Sequence, residues 1–170
     1  MRLDIHEIIN VPGASAPFNF EPDLSEAASG CVREIKQASA AGRVQNNAGV
    51  LVLSADVDVV LECTCARCLC EFERTIHHET ETMLSESAES VAPEEPEENP
   101  DIYTFEGNSV DVGEFIATDF ILSLDDRLLC SEDCKGLCEN CGANLNDGPC
   151  TCKKETDPRL AALKQLLEEE

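Results

Sequence analysis

The sequence has few aromatic residues and few cations. It contains no tryptophan, one tyrosine and six phenylalanines in 170 residues, so aliphatic side chains must fill most of the core. Twelve Lys and Arg stand against 35 Asp and Glu, a formal net charge of −23. Binding to naked nucleic acid depends on Lys and Arg that neutralise phosphates, so direct RNA binding is expected to be weak. This acidity indicates solubility or a surface that attracts a basic protein.

Long apolar runs are also missing. No segment approaches the roughly 20 apolar residues that a membrane helix needs, and residues 1–10 include Asp4, His6 and Glu7 where a secretion signal would be apolar. We therefore expect a cytoplasmic protein with no membrane partner. In a reducing compartment the eleven cysteines are expected to bind metal rather than form disulfides.

The clearest strand pattern runs from Leu51 to Cys65, where every odd position is apolar or small and most even positions are polar. This period of two predicts a strand with one buried face and one wet face. A turn is predicted at residues 46–49, and a return strand would point Phe72 and Ile76 inward. Residues 65–68 would then form the tip of a hairpin.

Weaker patterns cover the rest of the chain. Residues 3–9 predict a strand, which a proline-marked loop follows, and residues 30–45 show no clear pattern. Residues 85–100 are rich in Glu and Pro and contain no Lys or Arg, so they predict a solvated linker. A short strand is expected around residues 103–105. Asp111 then has the spacing of a helix cap, with the helix ending near Leu124.

Together these patterns predict an α+β fold, with a mainly antiparallel sheet, one or two packed helices and a C-terminal cysteine zinc knuckle. We predict two regions. Residues 1–129 form the core domain with the hairpin cysteine pair and the acidic linker near 85–100. Residues 130–170 form the zinc knuckle and a C-terminal helix, beginning after Asp157 and packed on the core.

Six cysteines crowd into residues 130–152. Cys138 and Cys141, with Gly142 directly after them, have the spacing of a zinc knuckle, in which two sulfurs turn toward one ion about 2.3 Å away. Cys150 and Cys152 form a second close pair. Metal binding in this region is the strongest prediction that the sequence makes.

The hairpin carries another pair, Cys65 and Cys68, whose two missing ligands are expected to be Cys130 and Cys134. This pairing predicts two zinc ions, each held by four thiolates, which would take the net charge to about −27. A single C-terminal site is the alternative. The predicted metal ligands are Cys65, Cys68, Cys130, Cys134, Cys138, Cys141, Cys150 and Cys152.

The remaining chemistry is sparse. Cys63 lies on the apolar face of its strand and is expected in the core, whereas Cys31 and Cys70 have no assignable role. His77 and His78 are expected to be ordinary strand residues. The sequence has no phosphate-binding glycine loop and no motif of a serine or zinc hydrolase. We therefore expect no catalytic residue, no small-molecule substrate and no enzyme activity.

Two stretches of the chain resemble a known family. The first is Cys65-Ala-Arg-Cys68 with Leu69 and Phe72, and the second runs from Cys130 through Cys152 to Asp157-Pro158-Arg159. Together they resemble the YceD-like family of bacterial large-ribosomal-subunit RNA accumulation proteins over roughly residues 45–168. The extra thiols Cys63 and Cys70, and the residues from 124 to 129 in place of prolines, depart from the family pattern.

The resemblance implies a non-enzymatic ribosome assembly factor that supports accumulation of 23S rRNA and carries structural zinc. Its expected partners are ribosomal proteins or an assembling large subunit. Any RNA contact would use a small basic patch of Lys135, Lys153, Lys154 and Arg159; the alternative is that these cations only balance thiolate charge. Two rival hypotheses remain open. One is a zinc-dependent adapter or metal-buffering protein without a ribosomal role, and the other is a thiol redox protein that uses Cys65 and Cys68.

Overall fold

The computed structural model describes residues 1–86 and 102–152. In these residues the strands are β1 Arg2–Asp4, β2 Ser15–Phe20, β3 Val32–Asn47, β4 Val50–Thr64, β5 Glu71–Glu86, β6 Ile102–Phe105 and β7 Ser109–Asp111. The helices are α1 His6–Ile9 and α2 Val112–Ser123, and Ser25–Ala27 form a short 3-10 helix.

The strands form two sheets. The larger has the order β2-β3-β4-β5-β6, in which β6 alone runs parallel to its neighbour, and the smaller pairs β1 with β7 in antiparallel register. This mainly antiparallel architecture with helices agrees with the predicted α+β class. Its centre is β4, which pairs along nearly its whole length with β3 on one side and β5 on the other.

The chain divides into two compact units. The first comprises Met1–Ala66 and Cys70–Cys130, and the second comprises Arg67–Leu69 and Ser131–Glu170. All the strands and helices named above belong to the first unit. The described part of the second unit consists of turns and an isolated bridge between Leu137 and Asn144. The domain boundary at residue 129 stays a prediction.

The core lies on one face of the sheet. The odd positions of β4 from Leu51 to Cys63 are at most 6% exposed, which confirms the predicted alternation and the buried place of Cys63. Val112, Ile116 and Phe120 of α2 belong to the same buried cluster. The even positions of β4 lie on the opposite face, where the carboxylates of Asp56 and Asp58 are exposed.

The hairpin prediction is confirmed. The turn between β3 and β4 lies at residues 48–49, and β5 pairs antiparallel with β4 from Thr64↔Glu71 to Leu51↔Leu84. Phe72 and Ile76 are partly buried against the core. β5 is much longer than its apolar residues indicate, because its middle, residues 77–82, consists of histidine, glutamate and threonine held by pairing with β4.

The N-terminal predictions are partly wrong. The predicted strand at residues 3–9 is a three-residue strand followed by helix α1, which begins where the His6 amide donates to the Asp4 carboxylate at 2.9 Å. Two register shifts interrupt the pairing of β3 with β4 between Val32 and Gln37, and small residues follow them. These irregularities interrupt the alternation of apolar and polar residues in β3. Pro17 lies within β2, and a proline in the sequence favours a loop over a strand.

The second half of the chain follows its predictions more closely. β6 covers the predicted short strand, and α2 is capped by Asp111, whose carboxylate accepts the Glu114 amide at 3.1 Å. Residues 85–86 of the predicted linker belong to β5, while its residues 87–100 and the predicted helix after Asp157 lie outside the described residues. Among the described helices, none has the length and apolar character that crossing a membrane requires.

One buried amide connects the N-terminal segment to the hairpin turn. Asn46 is 1% exposed. Its side-chain nitrogen donates to the carbonyls of Ile8 at 2.8 Å and Ile9 at 2.7 Å, and its side-chain oxygen accepts the Gly49 amide at 2.7 Å. A buried polar group is tolerated when its hydrogen bonds are made, and Asn46 satisfies three backbone groups that would otherwise lack these bonds.

We expect Asn46→Ala to lower the free energy of unfolding by about 2–3 kcal/mol, because the three hydrogen bonds of this buried side chain are lost. Asn47→Ala is the matched control, since Asn47 is the adjacent exposed residue, and its effect should stay within about 0.5 kcal/mol. Urea denaturation followed by circular dichroism measures both variants. Equal losses would show that the Asn46 network does not stabilise the fold.

Candidate metal centres

The first cysteine cluster contains the hairpin pair. One sulfur atom from each of Cys65, Cys68, Cys130 and Cys134 lies within 4.8 Å of the other three. Cys65, Cys68 and Cys134 are at most 5% exposed, and Cys130 is partly buried. The structure thus brings together the four residues that the sequence paired, although they come from segments about sixty residues apart in the chain.

The loop at the hairpin end brings the sulfurs of Cys65 and Cys68 within 4.8 Å of each other. The Cys65 amide donates to the Cys70 carbonyl at 2.9 Å, which closes the loop between β4 and β5. Leu69 has a φ of +59°, a left-handed conformation that is unusual for a residue with a Cβ. The Ala66 amide donates to the Leu128 carbonyl at 2.9 Å, and this bond places the approach to Cys130 beside Cys65.

Hydrogen bonds position Cys134 within the second unit. Its amide donates to the Ser131 carbonyl at 3.1 Å, and its own carbonyl accepts from Arg67 Nη1 at 3.0 Å. The Asn146 side-chain nitrogen lies 3.4 Å from the Cys134 sulfur and donates to it. Groups that donate to a ligating sulfur orient it and moderate its charge. Asn146 is therefore a supporting residue of this cluster.

The second cluster lies wholly in the second unit. One sulfur from each of Cys138, Cys141, Cys150 and Cys152 falls within the same 4.8 Å limit. The Cys138 amide donates to the Ala143 carbonyl and the Gly142 amide donates to the Cys138 carbonyl, both at 2.8 Å. Gly142 has a φ of +71°, which glycine adopts without a steric penalty. This tight turn is the predicted knuckle.

The thiols of the second cluster interact strongly. The Cys150 and Cys138 sulfurs are 3.3 Å apart. Hydrogen bonds from the backbone amides of Cys141 and Asn140 lower the pKa of Cys138 to about 6. The pKa of Cys152 is raised to about 12, chiefly by its hydrogen bond with Cys141 and to a smaller extent by burial. One sulfur is thus set to be anionic and another to keep its proton, because neighbouring thiolates repel each other.

Both clusters fit a soft divalent cation. A tetrahedral ion with sulfur ligands about 2.3 Å away separates those sulfurs by about 3.8 Å, and its positive charge compensates the thiolate repulsion. No disulfide joins any of the eleven cysteines, all of which lie in described residues. Four protein ligands complete a tetrahedral zinc site, which is the arrangement of structural rather than catalytic centres.

The clusters differ in burial. Cys141 is exposed and its three companions are partly buried, whereas three of the four cysteines in the first cluster are buried. A ligand exchanges more readily where solvent and competing chelators reach it. The second cluster is therefore the more accessible of the two.

A third group of metal-binding side chains lies on the wet face of the sheet. Asp56, His77 and Glu79 each offer a ligand atom within 4.8 Å of the others, and all three are exposed. His77 Nδ1 lies 2.8 Å from Asp58 Oδ1, and this hydrogen bond raises the pKa of His77. His78 contacts Asp119 at 2.6 Å on the core face. Both histidines are strand residues, as expected.

Asn146 is the functional residue that sequence reasoning missed. Asn144 and Asn146 lie two residues apart just after the knuckle, and their side chains bond to each other at 2.9 Å while Asn146 also accepts the Lys135 amide at 2.8 Å. The sequence signal that could have indicated Asn146 is this pair of asparagines two residues apart beside a zinc knuckle. Of the predicted basic patch only Lys135, which is exposed, lies in the described residues.

Comparison with known families settles the relationship of the chain. The model of the large ribosomal RNA subunit accumulation protein YceD matches residues 53–167, which is more than half of the chain and includes both cysteine clusters. The chain belongs to the YceD family. The resemblance drawn from the cysteine motifs is therefore confirmed.

A curated relative of this YceD-family chain comes from maize. It is named large ribosomal RNA subunit accumulation protein YCED homolog 1, chloroplastic, and is 39% identical over 59 residues. The match covers 34% of this chain and 20% of the maize protein, so this chain spans about a fifth of that relative. No solved structure matches the chain.

We expect two zinc ions per chain in protein purified without chelator, because there are two clusters of four thiols. A coloured chelator should withdraw them in two phases, the faster from the exposed second cluster. Cys141→Ser should remove the fast phase and leave about one ion per chain, whereas Cys31→Ser should change neither. A wild-type zinc content near one ion per chain, measured by inductively coupled plasma mass spectrometry, would contradict the two-site assignment.

The two clusters should also differ in their effect on folding. The first collects ligands from distant segments, whereas the second joins residues only fourteen positions apart. Cys68→Ser should therefore lower the thermal midpoint of the sheet by about 10 °C or more, since metal binding energy is folding energy. Cys141→Ser should leave that midpoint within about 2 °C of wild type.

Circular dichroism of the strands measures both midpoints, with Cys31→Ser again as the control. If Cys68→Ser melts like wild type with unchanged zinc content, then the hairpin cysteines are not ligands.

Proposed function

We propose that this chain is a non-enzymatic assembly factor that supports accumulation of 23S rRNA and of the large ribosomal subunit. The observation that carries the proposal is the family match, because it covers the sheet from β4 onward and both cysteine clusters. The maize relative's name assigns that protein to large ribosomal RNA subunit accumulation, and we extend this role to the present chain.

In this proposal zinc is structural at both clusters. Four thiols at each cluster would fill the coordination sphere of one ion, and a catalytic zinc keeps an open position for water or substrate. The first cluster would hold the hairpin end beside the segment at residues 130–134. The second would hold the turns of residues 138–152, which have little apolar core of their own in the described residues.

Burial argues against the redox alternative. Thiol exchange requires a reactive thiolate that a partner can reach, yet Cys65 is 0% exposed and Cys68 is 5% exposed. The metal-buffering alternative has more support from the second cluster, whose Cys141 is exposed. Buffering predicts exchangeable zinc with no effect on ribosomes, so an assay of subunits separates it from the proposed function.

The proposed partner is a protein rather than bare RNA. The net charge of −23 repels phosphate and attracts Lys- and Arg-rich segments, which ribosomal proteins offer before they are neutralised by rRNA. Such attraction is screened over about 8 Å at physiological ionic strength. Binding should therefore weaken as salt rises.

Deletion of this gene from its own host should lower the ratio of 23S to 16S rRNA and reduce free 50S subunits in sucrose gradients. The wild-type gene and Cys31→Ser should restore both quantities, whereas Cys68→Ser should not, because the fold depends on the first cluster. Immunoblots compare the protein levels of the variants, and a lower level of Cys68→Ser would agree with its expected loss of folded protein.

Unchanged rRNA ratios and gradients after deletion would reject the proposed function. If instead only resistance to zinc excess or limitation changed, then the buffering hypothesis would replace it.

A further inference from the structure

The wet face of the sheet carries a compact acidic surface beside an open strand edge. Asp56 and Asp58 of β4 lie opposite Glu79 and His77 of β5, and Glu81 follows on the same face. All five side chains are exposed. We name the carboxylates of Asp56, Asp58, Glu79 and Glu81 the acidic face.

Basic side chains do little to neutralise the acidic face in the described residues. His77 contacts Asp58 at 2.8 Å and Glu79 at 3.5 Å, and it is the only partner of these carboxylates among the ion pairs between described residues. Farther along the sheet, by contrast, Lys36 pairs with Glu62 and Arg33 pairs with Glu71. The acidic face therefore keeps most of its charge for a partner.

The edge of β5 next to this face is unpaired within the described residues. β6 pairs only with Met83–Glu86, and no described backbone bond reaches the outer side of Glu71–Glu81. The Thr64 amide donates to the Cys31 carbonyl on the β3 side, so the backbone amide and carbonyl of Thr64 point away from its partner Glu71. Because backbone direction alternates along a strand, the odd residues of β5 direct their amides and carbonyls outward.

The outward backbone groups and the acidic side chains thus belong to the same residues. Glu79 and Glu81 offer carboxylates on the wet face and outward backbone groups that no other described residue pairs with. An unpaired strand edge accepts an added strand from another chain, with main-chain bonds giving affinity and alternate side chains giving specificity. An added strand would place every second side chain over the acidic face.

We propose that a lysine- and arginine-rich extended protein segment adds to the β5 edge and lays alternate cations on the acidic face. Charge selects this edge over the first half of β3, which has no strand partner on its outer side in the described residues, because Arg33 and Lys36 there already neutralise the carboxylates that they contact. It also disfavours the other occupants. A second copy carries −23, residues 85–100 contain no cation, and RNA carries phosphate. The ribosomal origin of the segment rests on the proposed function, but its chemistry does not.

The test uses the full-length, zinc-loaded chain and a labelled peptide of about ten residues, a usual strand length, in which arginine alternates with threonine. Fluorescence anisotropy at low salt measures the affinity. A peptide of the same composition with its arginines in adjacent pairs should bind about tenfold more weakly, because half of its cations would face away from the carboxylates. A single-stranded RNA of similar length should bind more weakly still.

Two protein variants test the charge. Glu79→Gln with Glu81→Gln should weaken peptide binding about tenfold, whereas Glu7→Gln with Glu26→Gln, the same change in net charge at exposed sites of α1 and the 3-10 helix, should weaken it less than about twofold. Equal losses in the two pairs would overturn the proposal, since attraction by net charge alone would explain them.

Two further changes test the strand edge. Thr75→Pro removes an outward amide that does not bond to β4, and proline is tolerated at strand edges. This variant should therefore bind the peptide about tenfold more weakly. The control Thr75→Val, which keeps the amide, should bind the peptide like wild type. Peptides that are N-methylated at alternate amides test the same bond without changing the protein, and one of the two frames should lose binding. The proposal would be overturned if Thr75→Pro bound the alternating peptide as tightly as wild type and the wild-type protein bound both methylated peptides in full. Tighter binding of the RNA than of the alternating peptide would also overturn it.

These measurements need no ribosome. If the peptide does not bind, the proposed role in rRNA accumulation is not contradicted. If the rRNA assay shows no effect, the proposal that a basic segment binds the β5 edge is not contradicted.

Discussion

The pairing of β4 on both of its edges is the constraint on which the rest of the first unit depends. Because its hydrogen bonds to β3 and β5 leave it no rotational freedom, its odd side chains must enter the core and its even side chains must face water. The same register ends the strand at Thr64, so that Cys65 begins the loop with its sulfur among the other three. A shift of the β4 register by one residue would turn the apolar side chains from Leu51 to Cys63 toward water, and it would also change the geometry of the hairpin loop.

The parts of the fold that could be predicted are those where local pattern and tertiary environment agree. β4 has uninterrupted alternation, α2 begins at a capping Asp111, and the turn at residues 48–49 lies among small and amide residues. β3 could not be predicted because its two register shifts break the period. Helix α1 was missed because its few apolar residues fit a strand equally well until the bond from His6 to Asp4 decides between them.

The cysteine clusters could be paired from sequence because ligand spacing is a local property of the knuckle and because the hairpin left one pair incomplete. Their surroundings could not be predicted. The bond from Asn146 to the Cys134 sulfur depends on a turn that brings residues twelve apart together. The acidic face likewise needs the register of β4 with β5, since the sequence shows abundant acid but not which carboxylates become neighbours.

The Asn46 network has a consequence for the order in which the chain can fold. The carbonyls of Ile8 and Ile9 accept hydrogen bonds from a side chain that lies 38 and 37 residues later, and the turn of the β3–β4 hairpin orients that side chain. During synthesis the N-terminal segment therefore leaves the ribosome well before its partner exists. The β3–β4 hairpin must therefore be in place before Asn46 can bind Ile8 and Ile9, although those two residues are synthesised before it.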